Sequence, residues 1–161
     1  MNSKTLLLAC ALASFSMQAI TYRFVPERSD DLNAVINKAT ARMNFVTRPI
    51  ARSRLHKTNS PYKYLSIEEL PDTVSISYDG RTPVRAPADG TAVPWVREDG
   101  ERFEIWMKRS DGVLRHHFKA EDGERLNEFS WNATGDTLTL TVTLTSPRLP
   151  QPVQYRLVYA K

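Results

Sequence analysis

Cysteine is nearly absent from this chain of 161 residues, since Cys10 is the only one. A single cysteine cannot form an intramolecular disulfide, and it cannot supply the paired thiolates of a structural zinc site. The fold must therefore be stabilised by its core alone, and a chain of this length can bury a full core. Cys10 also lies in a segment that we expect to be removed, which excludes thiol catalysis from the mature protein.

The amino terminus has the pattern of a secretory signal peptide. Lys4 gives a positive start, and a short apolar run ending in small residues follows it. The run is too short for a permanent membrane span. We expect residues 1–19 to be the signal peptide, residues 20–161 to form one helix-plus-β-barrel domain, and the protein to be secreted or periplasmic. A lipid anchor through Cys10 is the alternative, because the residues before it loosely match an acylation box.

Motifs for catalysis are also missing from the sequence. It contains no G-x-S-x-G elbow, no H-E-x-x-H pair, no P-loop and no calcium-loop spacing. His116 and His117 look like a metal pair, but neighbouring residues of a strand point to opposite faces of the sheet. The sequence therefore predicts no enzyme, no metal site, no cofactor and no nucleic-acid partner.

Acidic residues are absent between Asp31 and Glu68, whereas seven lysine and arginine residues lie there. Such a basic stretch can meet an anionic surface or ligand. The alternative is a solvated helix face, followed by an edge strand that its charges protect from pairing.

Glycine is scarce, and all six glycines lie between Asp79 and Asp136. Five of them follow an aspartate, and Gly135 precedes one. Asp-Gly favours tight hairpin turns, because both residues tolerate a positive φ. Turns that recur every 10 to 12 residues, with alternating apolar residues between them, predict a mainly β fold: an antiparallel up-and-down meander that forms a barrel or half-barrel.

The residues before this meander predict one α-helix. It would start at Ser29 as its capping residue and carry one apolar stripe. Pro49 requires an extended residue before it, so the helix would end near residues 44–46. We expect the helix to cover a face or an end of the barrel. Strands are predicted at 50–58, 63–69, 73–78, 91–97, 102–109, 113–120, 125–131, 137–145 and 153–159.

Tight turns also fix which residues oppose each other across each hairpin. The turns at 111–112, 122–123 and 135–136 pair Ile105 with Phe118, Phe118 with Asn127, and Phe129 with Val142. All three place the apolar residues on one face. The predicted inner face consists of Phe103, Ile105, Met107, Leu114, His116, Phe118, Phe129, Trp131, Leu138, Leu140, Val142 and Leu144, joined by Tyr155 and Leu157. The threonines at 137, 139, 141, 143 and 145 would then face outward.

The turn at 99–100 pairs Val96 with Phe103 and leaves Trp95 and Trp106 together on the outer face. Two exposed tryptophans on one face indicate a covered patch, through which an envelope protein could bind. A bulge near Pro94 would instead turn Trp95 inward.

Three polar residues, His116, Arg125 and Asn127, interrupt the inner face. Either the two uncharged residues bond each other or a buried water while Arg125 lies in solvent, or all three face a cavity that holds a ligand with a polar head. On the second interpretation Arg125 lies near the barrel mouth. The candidate ligand-binding residues are His116, Arg125, Asn127, Met107, Phe118, Phe129, Trp131 and Tyr155.

Three motifs resemble those of lipocalin-like (calycin-type) exported β-barrel proteins of bacteria. They are Pro87-Ala88-Asp89-Gly90-Thr91, the two Glu-Asp-Gly-Glu-Arg turns, and Thr145-Ser146-Pro147-Arg148-Leu149-Pro150. The resemblance covers residues 32–159 and implies binding of a small hydrophobic molecule inside the barrel, without catalytic residues. We therefore expect an exported binding protein whose ligand carries an acidic or polar head. The alternative is a protein-interaction or envelope-associated module with a filled core.

Overall fold

The computed structural model describes residues 18–161, in which ten antiparallel strands form one sheet that curls into a nearly closed barrel with two α-helices. The predicted signal peptide and Cys10 lie mostly or wholly in residues 1–17, outside the described residues. No helix within 18–161 is long and apolar enough to cross a membrane. The strands are β1 Ile20–Phe24, β2 Tyr64–Glu69, β3 Val74–Tyr78, β4 Val84–Ala86, β5 Val93–Val96, β6 Arg102–Ser110, β7 Val113–Ala120, β8 Gly123–Trp131, β9 Thr137–Thr145 and β10 Val153–Ala160, and the helices are α1 Leu32–Thr40 and α2 Thr47–Thr58.

The strand order confirms the predicted meander. Around the barrel it is β4-β3-β2-β1-β10-β9-β8-β7-β6-β5, so β4 and β5 are the two edges of the sheet. The two edge strands do not pair with each other, and the segment that joins them along the chain is hydrogen-bonded to β6. The amide of Gly90 donates to the carbonyl oxygen of Met107 at 2.8 Å, and the amide of Arg109 donates to that of Ala88 at 3.0 Å. These two bonds hold the segment between β4 and β5 against β6.

The core lies inside the barrel, on the face that the alternating pattern predicts. Ile105, Met107, Leu114, Phe129 and Leu140 are each 0% exposed. The threonines of β9 face outward and are half-buried or exposed. The assignment of residues to the inner and outer faces of β6 to β9 is therefore confirmed.

The register across the β7–β8 hairpin differs from the prediction by two residues. Ala120 pairs with Gly123, which sets Phe118 opposite Arg125 and His116 opposite Asn127. Gly123 is therefore the first residue of β8 and not a turn residue. A Cβ atom there would lie 2.6 Å from the carbonyl oxygen of Thr145 on β9, so glycine is needed for the close approach of two strands.

The β8–β9 hairpin shows the same two-residue shift, and Phe129 pairs with Leu140. The loop is longer than a tight turn because the Asn132 side chain organises it, accepting from the amide of Thr137 at 3.0 Å and donating to Asp136 at 2.7 Å. A shift of two residues leaves every side chain on its predicted face.

The β5–β6 hairpin differs by one residue, and this moves Trp95 to the inside. Trp95 pairs with Phe103 because the loop spans residues 97–101, in which Arg97 binds both Asp99 and Glu101. The prediction that Trp95 and Trp106 share an outer patch is therefore wrong. Trp106 stays outside and stacks on His117, with ring centroids 5.0 Å apart.

The helical region also differs from the prediction, since two helices replace one. The predicted strand 50–58 is wrong, because it lies within α2. Pro49 occupies the first turn of α2, where an amide hydrogen has no partner within the helix, so proline is tolerated there. Asn44 Oδ1 accepts from the amides of Val46 and Thr47, at 3.0 and 2.9 Å, and so caps α2.

The capping residue of α1 is Asp31 and not Ser29. The Asp31 carboxylate accepts from the amides of Asn33 and Ala34, at 2.9 and 3.3 Å. Ser29 instead connects the segment before α1 to β10, because its Oγ accepts a hydrogen bond from the amide of Val158 at 2.8 Å. Strands β1 and β4 were not predicted.

Candidate ligand-binding cavity

A cavity of about 470 Å³ opens at the end of the barrel where α2 ends and the β3–β4, β5–β6 and β7–β8 turns meet. Its wall is mostly apolar and aromatic. Charged side chains, among them Arg81, Glu98 and Glu124, surround the mouth. The apolar and aromatic lining consists of Leu55, Tyr62, Tyr78, Val84, Trp95, Val96, Phe103, Phe118, Ala120, Leu144 and Leu149.

Three aromatic rings from adjacent strands form one side of the cavity. Trp95 of β5 lies 5.6 Å from Phe103 of β6 and 5.8 Å from Phe118 of β7, between ring centroids. Phe103 and Phe118 meet edge to face at 6.2 Å. Such packing fixes the rings in place and presents a rigid apolar surface to the cavity.

Arg125 of β8 is one of the cationic side chains that line the cavity. Its Nε donates to Asn127 Oδ1 at 2.8 Å, and its Nη1 donates to Asn59 Oδ1 at 2.9 Å. Both partners are neutral amides. Arg125 belongs to none of the ion pairs formed within residues 18–161, and no side chain or carbonyl of that part accepts a hydrogen bond from its Nη2. Among residues 18–161 this guanidinium thus has no ion-pair partner, although carboxylates line other parts of the cavity.

Asn59 directly follows α2 and links the helix to the barrel interior. Its Oδ1 also accepts from the Tyr155 hydroxyl at 3.3 Å. Its Nδ2 donates to the carbonyl oxygen of Leu55 and to Thr58 Oγ1, both at 2.9 Å. Asn59 was not predicted as a site residue, because the residues before it were predicted to form a strand. An asparagine two residues before Pro61 is a helix-stop signal that would have revealed the end of α2.

A second branch of polar contacts runs from Asn127 into the core. Asn127 Nδ2 donates to the Tyr78 hydroxyl at 3.4 Å, and this hydroxyl lies 3.1 Å from His116 Nδ1. His116 is 0% exposed. Burial, helped by the charge of Arg125, lowers the pKa of His116 to about 3, so the imidazole is neutral at physiological pH. Burial also raises the pKa of the Tyr78 phenol.

The eight predicted site residues fall into three groups. Phe118, Arg125 and Asn127 line the cavity, while His116 and Tyr155 lie behind its wall and connect to Arg125 through the hydrogen bonds above. The other three, Met107, Phe129 and Trp131, do not line the cavity.

Met107 and Phe129 are fully buried where side chains fill the barrel. Trp131 lies at the opposite end, where its Nε1 donates to the Tyr22 hydroxyl at 3.0 Å. The barrel is therefore solid at one end and open at the other. Residues 18–161 contain no cluster of three or more potential metal ligands.

Neither a family model nor a curated protein matches the chain. Solved structures do match it, at low sequence identity. The fatty-acid-binding protein of Manduca sexta has a TM-score of 0.55 and 19% identity, over 91% of this chain and 100% of that one. A secretory abundant heat soluble protein of Ramazzottius varieornatus has a TM-score of 0.58 and 15% identity, over 88% and 92%. Lipid binding protein 8 of Caenorhabditis elegans has a TM-score of 0.55 and 13% identity, over 94% and 99%. The chain therefore has the fold of the calycin-type and fatty-acid-binding barrels.

Proposed function

We propose that the protein binds a small apolar molecule with an anionic head group inside the barrel, and that Arg125 is the anchor for the head. The observation that carries this proposal is the guanidinium of Arg125, which lines a cavity with a mostly apolar wall and forms no ion pair with a carboxylate of residues 18–161. Removing a cation from bulk water is costly unless an opposite charge or sufficient hydrogen bonds compensate it. A carboxylate-headed ligand would supply both, through charge-assisted bonds to Nη2.

The size and composition of the cavity support the same class of ligand. A volume of about 470 Å³ lies within the usual range for sites that bury small molecules. The rings of Trp95, Phe103 and Phe118 would contact an alkyl or aromatic body. Several solved structures of similar fold are named for fatty acids or lipids, which agrees with the proposal at the level of the fold.

A displacement assay tests this proposal. A fatty acid that carries a fluorescent dansyl group is bound to the protein and then displaced by dodecanoic acid, by its methyl ester or by dodecanol. The Arg125→Gln variant should bind the acid about ten- to a hundredfold more weakly, because charge-assisted bonds are lost, while its affinity for the alcohol changes little. Arg102→Gln is the matched control, since it removes the same charge from an exposed residue on the outer face.

Two results would contradict this assignment. If Arg125→Gln weakens the binding of acid and alcohol equally, the side chain supports the structure of the cavity but does not distinguish charged from neutral ligands. Failure of the wild-type protein to bind any of the three amphiphiles would remove the carrier function altogether.

Export belongs to the same proposal, because the signal-peptide pattern of residues 1–19 favours action outside the cytoplasm. Fractionation of the native host, followed by mass spectrometry of the amino terminus, should find a protein that begins near Ile20. A cytoplasmic protein with residues 1–19 intact would contradict export, and an acylated Cys10 would replace the predicted cleavage site.

A second candidate function, docking onto an anionic lipid surface, is favoured by the helical region. Phe45, Val46 and Ile50 are 84, 58 and 63% exposed, at the tip between α1 and the start of α2. The chain around them carries seven cationic side chains and no acid between Asp31 and Glu68. Apolar side chains that insert between lipids, flanked by cations that meet their head groups, are typical of interfacial binding.

Vesicle sedimentation tests this second candidate. The protein should sediment with vesicles that contain one third phosphatidylglycerol and not with pure phosphatidylcholine, and Phe45→Ser should weaken the interaction severalfold. Val96→Ser is the matched control, because Val96 is also exposed, at 57%, but lies on β5. Sedimentation that does not depend on anionic lipid, or that both variants reduce equally, would contradict a role for this tip.

A further inference from the structure

We infer that His116 is a positioning residue for the anionic head group: as the terminal acceptor of a buried hydrogen-bond chain through Tyr78 and Asn127, it fixes the guanidinium of Arg125. This inference rests on the proposed function, since it concerns how the same site distinguishes charged from neutral ligands. His116 itself does not line the cavity, and it acts on the ligand only through the chain.

The direction of every bond in the chain follows from the chemistry of Arg125. A guanidinium can only donate, so the Asn127 atom 2.8 Å from Arg125 Nε must be the amide oxygen. The other amide atom, Nδ2, then donates to the Tyr78 hydroxyl at 3.4 Å. Since Asn127 presents its nitrogen, the only acceptor left within residues 18–161 for the hydroxyl hydrogen is His116 Nδ1 at 3.1 Å. His116 therefore carries its proton on Nε2 and accepts at Nδ1, and the Nε2 proton has no hydrogen-bond partner within residues 18–161.

Most of the surface of the three linked side chains is buried, although Tyr78 and Asn127 also contribute to the cavity wall. His116 is 0% exposed, Asn127 1% and Tyr78 8%. Within residues 18–161 the Tyr78 hydroxyl contacts only His116 and Asn127 as hydrogen-bond partners. Because a buried donor without an acceptor is costly, we expect the Tyr78 hydroxyl hydrogen to bond to the other nearby acceptor when His116 is replaced.

That other acceptor is the oxygen of Asn127, and this is how a change at His116 reaches the cavity. If the Asn127 amide turns its oxygen toward Tyr78, its Nδ2 faces Arg125 Nε. Two donors then oppose each other, and the guanidinium must move from its position. Asn59 still accepts from Arg125 Nη1 at 2.9 Å, so the cation stays in the cavity with a less fixed orientation. The loss should therefore be partial and confined to ligands that bind the guanidinium.

Three variants separate this role from simple core packing. His116→Leu removes the acceptor, Tyr78→Phe removes the hydroxyl that connects it, and His116→Asn restores an amide oxygen close to the position of Nδ1. Affinities for dodecanoic acid and dodecanol are measured by the displacement assay, after thermal unfolding has shown which variants are folded. We expect His116→Leu and Tyr78→Phe each to weaken the acid about five- to tenfold, the loss of roughly one hydrogen bond, and to leave the alcohol unchanged.

The conservative variant and the double variant complete the test. His116→Asn should bind the acid like the wild-type protein, and His116→Leu combined with Tyr78→Phe should be no worse than either single change, because both break the same chain.

Unchanged acid binding in His116→Leu, or equal losses for acid and alcohol, would overturn the inference. If His116→Leu does not fold, the comparison of Tyr78→Phe with His116→Asn decides it by the same criteria. A wild-type protein that does not bind the acid refutes the proposed function, whereas acid binding that depends on Arg125 but not on His116 refutes this inference alone.

Discussion

We expect the free energy of unfolding to decrease as the pH falls below 6.5, because the imidazole of His116 is buried in its neutral form. The pKa of this imidazole falls from 6.5 to about 3 on folding, because burial disfavours its charged form. Below pH 6.5 the unfolded chain takes up a proton that the folded protein does not, so the free energy of unfolding decreases as the pH falls from 6.5 toward 3. The slope approaches about 1 kcal/mol per pH unit, which gives a loss of about 2 kcal/mol between pH 8 and pH 5.

Urea unfolding at pH 8, 7, 6 and 5, followed by tryptophan fluorescence, measures this loss. His116→Asn provides the reference, because asparagine does not titrate, and the difference between the two proteins isolates the imidazole. Asp99 does not contribute in this interval, because its carboxyl is ionised above pH 5 in both states: bonds with Arg97 and the Glu101 amide lower its pKa from 3.8 to about 2 on folding. Equal decreases for the wild-type protein and His116→Asn would refute the burial of a neutral imidazole.

Further predictions concern the faces and turns of the barrel. Leu140→Ala should lower the free energy of unfolding by about 2–5 kcal/mol, whereas Thr141→Ala on the outer face should cost well under half of that; equal costs would contradict the assigned faces. Gly123→Ala should cost about 1–3 kcal/mol, because its Cβ would meet the Thr145 carbonyl oxygen and push two strands apart. Gly112 has a φ of +74° but open space around the position of a Cβ atom. Gly112→Ala should therefore cost only about 1 kcal/mol of backbone strain. A larger loss at Gly112 than at Gly123 would contradict the assignment of Gly112 to a turn and Gly123 to a close strand contact. Chemical unfolding measures all four.

The meander could be predicted from the sequence because period-two alternation and Asp-Gly turns are local signals. The two-residue register errors could not be avoided in the same way. Asp122-Gly123 has the same letters as Asp111-Gly112, but Gly112 adopts a positive φ in a turn, whereas Gly123 leaves room for the backbone of a neighbouring strand. Only the packing of β8 against β9 distinguishes these two reasons for glycine.

Helix α2 could not be recognised from periodicity, since none of its residues is buried and it therefore has no apolar stripe. The site was accordingly predictable only in part. Arg125 and Asn127 were found because they interrupt the inner face of a well-predicted strand. Asn59, directly after α2, and Tyr78 of β3 complete the network, and their distances from β8 depend on how the whole barrel closes.

The most direct test of the central claim is an experimental structure of the protein with dodecanoic acid bound. We expect a carboxylate oxygen within about 3 Å of Arg125 Nη2, which is the usual length of a charge-assisted bond. The alkyl chain should lie against Trp95, Phe103 and Phe118. A ligand seated with its carboxylate at the mouth and its chain against Arg125, or one bound outside the barrel, would contradict the account.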